Sequence, residues 1–380
     1  MKTRLLYTPG PVPIHEQTLL AMAQPIIHHR APEYAQLLEK VRGQLKTLFG
    51  TQQEVLILAS SGTGAMEAAV SNLLCPGDHA LVILGGKFGE RWTQICEAYG
   101  VETTNIDVQW GSAVDPEQVR LALEADPQIK AVYCQASETS TGTRHPVEQL
   151  AQLTAQREDT VLVVDAITGL GVFPLPMDEL GIDVLITGSQ KALSLPPGLA
   201  MIALSEKAWK LSESSTLPRF YFNLAKEHKA ISKNSSAYTP AVSLVVGLSS
   251  VLDRFLEPGL DELYGRTALF ARALREAALA LGLKLYSSSP SDAVTAIYSP
   301  ETIDAGKIVA GLREGYCITV AGGQDQAKGK IFRVGMMGNV RERDVVGLVA
   351  ALENVLADLD YEFERGAGLR RASEILGERK

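Results

Sequence analysis

The sequence predicts an α/β protein, with a large domain built on a mostly parallel sheet and a smaller C-terminal α+β domain. Short apolar runs alternate with segments of helical spacing from about residue 33 to 205, and this alternation ends before Pro258-Gly259. The length of 380 residues also exceeds the usual size of one domain. We therefore expect an N-terminal segment at 1–15, a large domain at 16–257, a small domain at 258–362 and a tail at 363–380.

Six apolar runs rich in β-branched residues predict the sheet of the large domain. They lack polar–apolar alternation, which is typical of strands covered on both faces. The segments between them, such as 34–49, 64–74 and 146–156, carry apolar residues at three- and four-residue spacing and predict helices. The predicted strands are VLILA (55–59), ALVIL (80–84), AVYC (131–134), TVLVVD (160–165), DVLITG (183–188) and AMIAL (200–204).

The second part of the chain predicts a small mixed domain. Thr239-Pro240 precedes a helix that runs to about residue 256, and Pro258-Gly259 separates it from a helix at 260–281. Further strands are predicted at 284–287, 293–298, 317–320 and 331–335, and further helices at 305–314 and 341–356. Residues 361–380 have little apolar content, so we expect them to be frayed or to lie on the surface.

Composition and charge disfavour several classes of function. The net charge of -8 and the pI near 5.4 argue against nucleic acid or an anionic membrane as the main partner. The four cysteines form no Cys-x-x-Cys pair, so neither a disulfide framework nor a metal site is expected. No apolar run approaches the roughly 20 residues that span a bilayer, and no targeting segment is visible. These features predict a soluble, cytoplasmic protein without a metal.

The most informative lysine is Lys191, in the segment Thr187-Gly188-Ser189-Gln190-Lys191-Ala192 that follows a predicted strand. Open α/β sheets bind ligands at the carboxyl ends of their strands, where a lysine can be desolvated and form a Schiff base with an aldehyde. The alternative is a solvated loop lysine, which is the usual state of that residue type.

Asp165 ends the predicted strand VLVVD, 26 residues before Lys191 and one strand away. A carboxylate at that depth can pair with a protonated pyridine nitrogen and keep the ring an electron sink. The alternative is an aspartate that caps a helix or a turn.

Three further segments are candidate ligand contacts. The run Ser61-Gly62-Thr63 leads from a strand into a helix, where backbone N–H groups and hydroxyls suit a phosphate, although such turns also cap helices without a ligand. Phe88 follows a strand and could stack on a flat ring or simply fill the core. Arg333 lies inside an apolar strand, where it needs either a substrate carboxylate or a structural partner.

With these residues identified, the chain resembles class V aminotransferases of fold type I, which depend on pyridoxal phosphate, and in particular the alanine–glyoxylate and serine–pyruvate aminotransferase group. The resemblance spans nearly the whole chain, and its Gly-Ser-Gln-Lys-Ala motif is highly specific. The residues that carry it are Thr8-Pro9-Gly10-Pro11, Ser61-Gly62-Thr63, Glu138-Thr139-Ser140-Thr141-Gly142, Val164-Asp165, Gly188-Ser189-Gln190-Lys191-Ala192, Thr239-Pro240 and Phe332-Arg333-Val334-Gly335.

The resemblance implies a role for each candidate residue. Lys191 would hold pyridoxal 5'-phosphate and shuttle the proton, and Asp165 would bind the ring nitrogen. Phe88 falls where the family commonly has a stacking tryptophan. Thr239 would reach the phosphate of the partner subunit, which implies a homodimer with shared active sites. The other implied contacts are Ser61, Gly62, Thr63 and Gln190 with the phosphate, Thr139 with the ring, and Arg333 and Gly10 with the substrate.

The implied reaction moves an amino group from alanine or serine to glyoxylate or pyruvate by a ping-pong mechanism. We see no obvious second arginine for a side-chain carboxylate, which favours small substrates over glutamate, although Arg30 or Arg91 could approach in the fold. A partner-subunit tyrosine of some relatives has no clear counterpart, since Ser236 stands there, and Tyr238 is the candidate substitute.

Other functions within and outside this fold remain as alternatives. A cysteine desulfurase needs a mobile nucleophilic cysteine, whereas Cys134 and Cys317 fall on predicted strands. A phosphoserine aminotransferase needs extra cationic groups for the substrate phosphate. Some relatives have been labelled small subunits of a soluble hydrogenase, but the isolated cysteines argue against electron transfer, and a non-catalytic role leaves Lys191, Asp165 and Arg333 unexplained.

Overall fold

The computed structural model describes residues 5–378, so the ends of the predicted N-terminal segment and tail lie outside it. Its strands are β1 (Leu5–Leu6), β2 (Val55–Leu58), β3 (His79–Leu84), β4 (Glu102–Asp107), β5 (Ile129–Gln135), β6 (Ser137–Glu138), β7 (Thr143–Arg144), β8 (Val161–Asp165), β9 (Val184–Gly188), β10 (Ala200–Leu204), β11 (Val294–Tyr298), β12 (Ile318–Thr319), β13 (Ala321–Gly322) and β14 (Ile331–Gly335).

Its helices are α1 (Glu16–Met22), α2 (Pro32–Phe49), α3 (Gly62–Leu73), α4 (Lys87–Ala98), α5 (Pro116–Ala125), α6 (Val147–Ala155), α7 (Met177–Leu180), α8 (Glu206–Glu213), α9 (Leu224–Ile231), α10 (Val242–Leu256), α11 (Leu260–Ala280), α12 (Ala305–Tyr316), α13 (Glu342–Asp358) and α14 (Ala367–Gly377).

The central sheet has seven strands in the order β2-β10-β9-β8-β5-β3-β4. The five strands from β9 to β4 run parallel, whereas β10 is antiparallel to both of its neighbours. Every residue of β8, β9 and β10 is buried, because helices cover both faces of the sheet. The prediction of an α/β protein with a mostly parallel sheet is confirmed.

The edge strand β4 is absent from the sequence-based prediction. It reads ETTNID, and all of its residues except Ile106 are exposed or half-buried. β4 lies at an edge of the sheet and is largely exposed, so it lacks the apolar run by which the other six strands are found.

A second core surrounds the three-stranded sheet β11-β14-β13 and helices α11 to α14, and it includes Tyr7 near the N-terminus. Two predicted strands of this region are wrong in extent. Residues 284–287 form only one isolated bridge, between Leu285 and Ile297. The segment 317–320 is reduced to β12, and Cys317 ends α12 in a left-handed conformation. The predicted domain boundary at 257/258 stays a prediction.

The C-terminal tail differs from its expectation. Residues 367–377 form α14, which packs against α11 and α13 and buries Ala372, Ile375 and Leu376. Glu353 of α13 accepts hydrogen bonds from the backbone N–H groups of Gly366 and Leu369 at 2.7 and 3.0 Å, which secures the start of the helix. The expectation of a frayed or surface-lying tail is therefore wrong for this segment.

Candidate active site

Lys191 lies three residues beyond the carboxyl end of β9 and is only 9% exposed. Its Nζ donates a hydrogen bond to the carbonyl of Pro9. Burial lowers the pKa of Lys191 to about 8; nearby Asp165 opposes this shift, and Arg333 and Arg91 add to it. The structure therefore gives this lysine a larger fraction of free amine at neutral pH than a solvated lysine has.

The backbone at Gly10 packs directly against the Lys191 side chain. Its φ of +120° favours glycine, and a Cβ atom at this position would lie 2.9 Å from the Lys191 Nζ and 2.6 Å from its Cδ. The backbone of the N-terminal segment can approach the amine this closely only because residue 10 has no side chain.

Asp165 ends β8, where it is 5% exposed. One carboxylate oxygen accepts a hydrogen bond from the backbone N–H of Ile167 at 2.9 Å. Burial raises the pKa of Asp165 to about 6 and Glu138 adds to the shift, while the N–H of Ile167, Lys191 and Arg91 oppose it. Asp165 is thus largely ionised at neutral pH and lies within electrostatic range of the buried lysine.

The run at 61–63 forms the start of α3. Ser61 is the N-cap, yet its side chain makes no capping hydrogen bond. A Cβ at Gly62 would lie 2.3 Å from the Ile167 side chain, so helix and strand ends meet here in close contact. The Oε1 atom of Gln190 is buried without a hydrogen-bond partner among the described residues. A helix N-terminus, a free hydroxyl and an unpartnered amide are therefore available to a ligand at this edge of the sheet.

Phe88 occupies the first turn of α4, and its backbone is held by Glu138, a residue without a separate role in the sequence-based prediction. One carboxylate oxygen of the buried Glu138 accepts from the backbone N–H groups of Phe88 and Gly89, each at 3.1 Å. The other accepts from the N–H and hydroxyl of Ser140. Glu138 therefore joins the start of α4 to the segment that contains Thr139. The only sequence signal was its place in the motif at 138–142.

Arg333 lies in the middle of β14 and is 6% exposed. Its guanidinium donates to the carbonyls of Gly322 and Thr139, both at 2.9 Å, and burial lowers its pKa to about 10. The Thr139 hydroxyl in turn lies 2.8 Å from that of Thr168. Among the described residues no carboxylate pairs with Arg333, so the expectation of a structural salt bridge is not met.

Arg91 is a second arginine at the same site. Its Nη1 donates to the Thr63 hydroxyl at 3.2 Å, and its guanidinium carbon lies 4.8 Å from the centre of the Phe88 ring. Arg30, the other arginine considered from the sequence, instead donates to the Ser235 hydroxyl at 2.7 Å. The sequence alone could not decide between Arg30 and Arg91, because only the fold shows that Arg91 lies beside α3 and over the Phe88 ring.

Thr239 is exposed and lines a different cavity from the residues above, together with Tyr221, Ser236 and Tyr238. The Tyr238 hydroxyl donates to the carbonyl of Phe220 at 2.9 Å, and its ring stacks on Tyr221. Within one chain the structure therefore unites the predicted site residues with the exception of Thr239.

The family model described as aminotransferase class-V matches residues 16–346. The chain therefore belongs to the class V aminotransferases, and the family and fold type I predicted from the sequence are confirmed.

Named relatives cover nearly the whole chain. The soluble hydrogenase small subunit of Synechococcus sp. strain PCC 6716 is 41% identical over 98% of both chains. The L-aspartate–glyoxylate aminotransferase of Paracoccus denitrificans is 35% identical over 97% of this chain and 95% of its own. The serine–glyoxylate aminotransferase of Methylorubrum extorquens is 34% identical over 98% of this chain and 96% of its own.

The solved structure of ureidoglycine–glyoxylate aminotransferase from Bacillus subtilis superposes with a TM-score of 0.95 at 28% identity, covering 100% of this chain and 99% of its own. Together these likenesses make the chain an aminotransferase of the group that was predicted.

The described residues provide little of what the alternative functions require, namely a reactive cysteine or a metal site. Cys96 and Cys134 are buried, and burial raises the pKa of both thiols, so they are poor nucleophiles. Between residues 5 and 378 no group of His, Cys, Asp and Glu is arranged to hold a metal ion. Over the same range no helix is both long and apolar enough to cross a membrane.

Proposed function

We propose that this aminotransferase uses pyridoxal 5'-phosphate to move an amino group from alanine or serine to glyoxylate or pyruvate, in two successive half-reactions. The observation that carries the proposal is the buried amine of Lys191 with its lowered pKa, within electrostatic range of the buried Asp165. The names of the serine–glyoxylate and ureidoglycine–glyoxylate relatives support glyoxylate as the acceptor.

The described residues fit the cofactor. The backbone N–H groups at the N-terminus of α3, the hydroxyls of Ser61 and Thr63 and the side-chain N–H groups of Gln190 would donate to the phosphate. Asp165 would pair with the protonated ring nitrogen, and the half-buried Phe88 would provide a surface for the ring. When bound, the cofactor supplies a ring that withdraws electrons from the substrate Cα–H bond.

The residues of this chain have separate tasks in that chemistry. Arg333 binds the substrate carboxylate with the N–H groups that its two carbonyl partners leave free. The free amine of Lys191 would take the proton from the substrate Cα and deliver it to the C4′ carbon of the cofactor. The backbone at Gly10 and Pro9 covers the lysine and limits access of water.

A homodimer with shared active sites belongs to the same proposal. Thr239 is exposed, and it lies beside an exposed aromatic group that includes Phe220 and Tyr221. A surface of this kind suits contact with a second copy of the chain. Such a contact would let Thr239 complete the phosphate site of the partner. The four unpaired cysteines support a reducing compartment such as the cytoplasm.

The visible spectrum of the purified protein, loaded with pyridoxal 5'-phosphate, tests the proposal. We expect an absorbance band that disappears with alanine or serine, returns with glyoxylate or pyruvate, and is absent from Lys191→Ala. A protein that stays colourless with added cofactor would refute the proposal and favour a non-catalytic subunit. A band that none of these amino acids changes would refute the proposed amino donors.

A further inference from the structure

The segment 232–241, which joins α9 to α10, carries Thr239 and contains no helix or strand. Thr239 is exposed, and its hydroxyl makes no hydrogen bond to another residue between 5 and 378. Among the backbone N–H groups of residues 236–241, only that of Ala237 has an acceptor in the described chain. The course of the backbone into Thr239 therefore depends on the contact at Ala237 and on neighbouring side chains.

Glu227 of α9 provides the acceptor at Ala237. Its carboxylate accepts a hydrogen bond from the Ala237 N–H at 3.0 Å, and the residue is only 9% exposed. Burial raises the pKa of Glu227, and the hydrogen bond from Ala237 opposes this rise. The N–H group thus stabilises the carboxylate, and the carboxylate in turn holds the backbone two residues before Thr239.

Other contacts hold the same segment at the protein surface. Arg30 donates to the Ser235 hydroxyl at 2.7 Å, and the Tyr238 hydroxyl donates to the carbonyl of Phe220 at 2.9 Å. Arg30 and Phe220 are exposed, so water competes for these hydrogen bonds. Glu227 is buried and accepts from a main-chain N–H, which makes it the anchor of the backbone in this segment.

We propose that Glu227 is a positioning residue for the cofactor site of the partner subunit, because by fixing the backbone at Ala237 it presents Thr239 to the phosphate bound by the second chain. This inference rests on the homodimer with shared active sites proposed above. Within its own chain, Glu227 lines the cavity of Thr239 and not the site around Lys191. Its effect should therefore appear in the site of the other subunit.

Spectral titration of the full-length protein with pyridoxal 5'-phosphate, followed at the absorbance band, tests this role. We expect Glu227→Leu to weaken cofactor affinity by roughly 3- to 10-fold, because a half-buried N–H loses its acceptor and the segment loosens. Glu227→Gln should retain most of the affinity, since its amide oxygen still accepts from Ala237. Glu213→Leu, at the exposed end of α8, is the matched control and should leave the affinity unchanged. Wild-type affinity in Glu227→Leu would overturn the proposal.

A double variant tests whether Glu227 acts through Thr239. Thr239→Ala should itself weaken cofactor affinity by roughly 10-fold, the effect of losing one hydrogen bond to a charged group. If Glu227 only positions this threonine, combining Glu227→Leu with Thr239→Ala should cause little further loss. Fully additive losses would show that Glu227 acts by another route and would overturn the proposal.

Mixed dimers test whether the effect crosses the subunit boundary. Co-expression with two affinity tags yields a dimer of one Glu227→Leu chain and one Lys191→Ala chain. The site that retains Lys191 then belongs to the Glu227→Leu chain, but it receives Thr239 from the chain in which Glu227 is intact. We expect wild-type cofactor affinity at that site. A weakened affinity there would confine the effect of Glu227 to its own chain and overturn the proposal.

The failure of this inference differs from a failure of the proposed function. If Thr239→Ala binds the cofactor as tightly as the wild type, the shared site and the role of Glu227 are overturned, while transamination by Lys191 is left intact. A wild-type protein that never develops the absorbance band overturns the proposed function and this inference with it.

Discussion

At the scale of single residues, burial moves the pKa values of Lys191 and Asp165 toward each other. Desolvation disfavours the charged form of each group, so the pKa of the lysine falls to about 8 and that of the aspartate rises to about 6. At pH 7 the aspartate is mostly ionised, and a measurable share of the lysine is free amine. A solvated lysine, with a pKa of about 10.4, would be almost entirely protonated at that pH.

The rate at which the cofactor-free protein binds pyridoxal 5'-phosphate should therefore rise with pH and level off above about 8. Only the unprotonated amine attacks an aldehyde, so the rate follows deprotonation of Lys191. Stopped-flow absorbance from pH 6 to pH 10 measures it, with Lys191→Ala as the control for reaction at surface lysines. A rate still rising at pH 10 would contradict the lowered pKa.

At the scale of elements, the site depends on a connection between α4 and the segment after β5. Glu138 accepts backbone hydrogen bonds from both sides of this connection, and Arg333 donates to the carbonyl of the adjacent Thr139. Gly86 allows this approach, because a Cβ there would lie 2.3 Å from the Ser140 hydroxyl oxygen. The Glu138 carboxylate thus holds the proposed stacking residue Phe88, and the carbonyl of the adjacent Thr139 holds the proposed carboxylate-binding residue Arg333.

Glu138→Gln should weaken cofactor binding by roughly 10- to 100-fold. In this variant an amide NH2 group replaces one carboxylate oxygen that accepts hydrogen bonds from backbone N–H groups, so these buried N–H groups lose their acceptor. Spectral titration with pyridoxal 5'-phosphate measures the change. Glu148→Gln, on the exposed start of α6, is the matched control. Wild-type affinity in Glu138→Gln would show that Phe88 is positioned without this carboxylate.

The sequence could predict Lys191 and Asp165 but not the role of Glu138, and the reason is physical. Strand-end residues can be found because buried parallel strands are continuous apolar runs, and their carboxyl ends meet at one edge of the sheet. Glu138 instead accepts hydrogen bonds from backbone N–H groups about 50 residues away. Every residue except proline has a backbone N–H, so the sequence does not show which residues are its partners. Arg91 remained undecided for the same reason, since its neighbours depend on how α3 and α4 pack.

At the scale of the whole molecule, segments near both limits of the described range, 5–378, lie in the second core. Tyr7 lies in this core and so do Ile375 and Leu376 of α14. The N-terminal segment then continues to Pro9, which accepts a hydrogen bond from Lys191, while β14 of the same core carries Arg333. The sequence did not predict α14, because only a few of its residues are apolar and its helix is stabilised by tertiary packing.

Leu376→Ala should lower the free energy of unfolding by about 2–4 kcal/mol, since this side chain is 3% exposed and its loss leaves a cavity. It should also raise KM for the amino donor, because β14 and the N-terminal segment that carry Arg333 and Pro9 belong to the loosened core. Urea unfolding and steady-state kinetics measure the two effects. Ser373→Ala, on the exposed side of α14, should change neither. A destabilised Leu376→Ala with unchanged KM would show that the site is insensitive to the packing of α14.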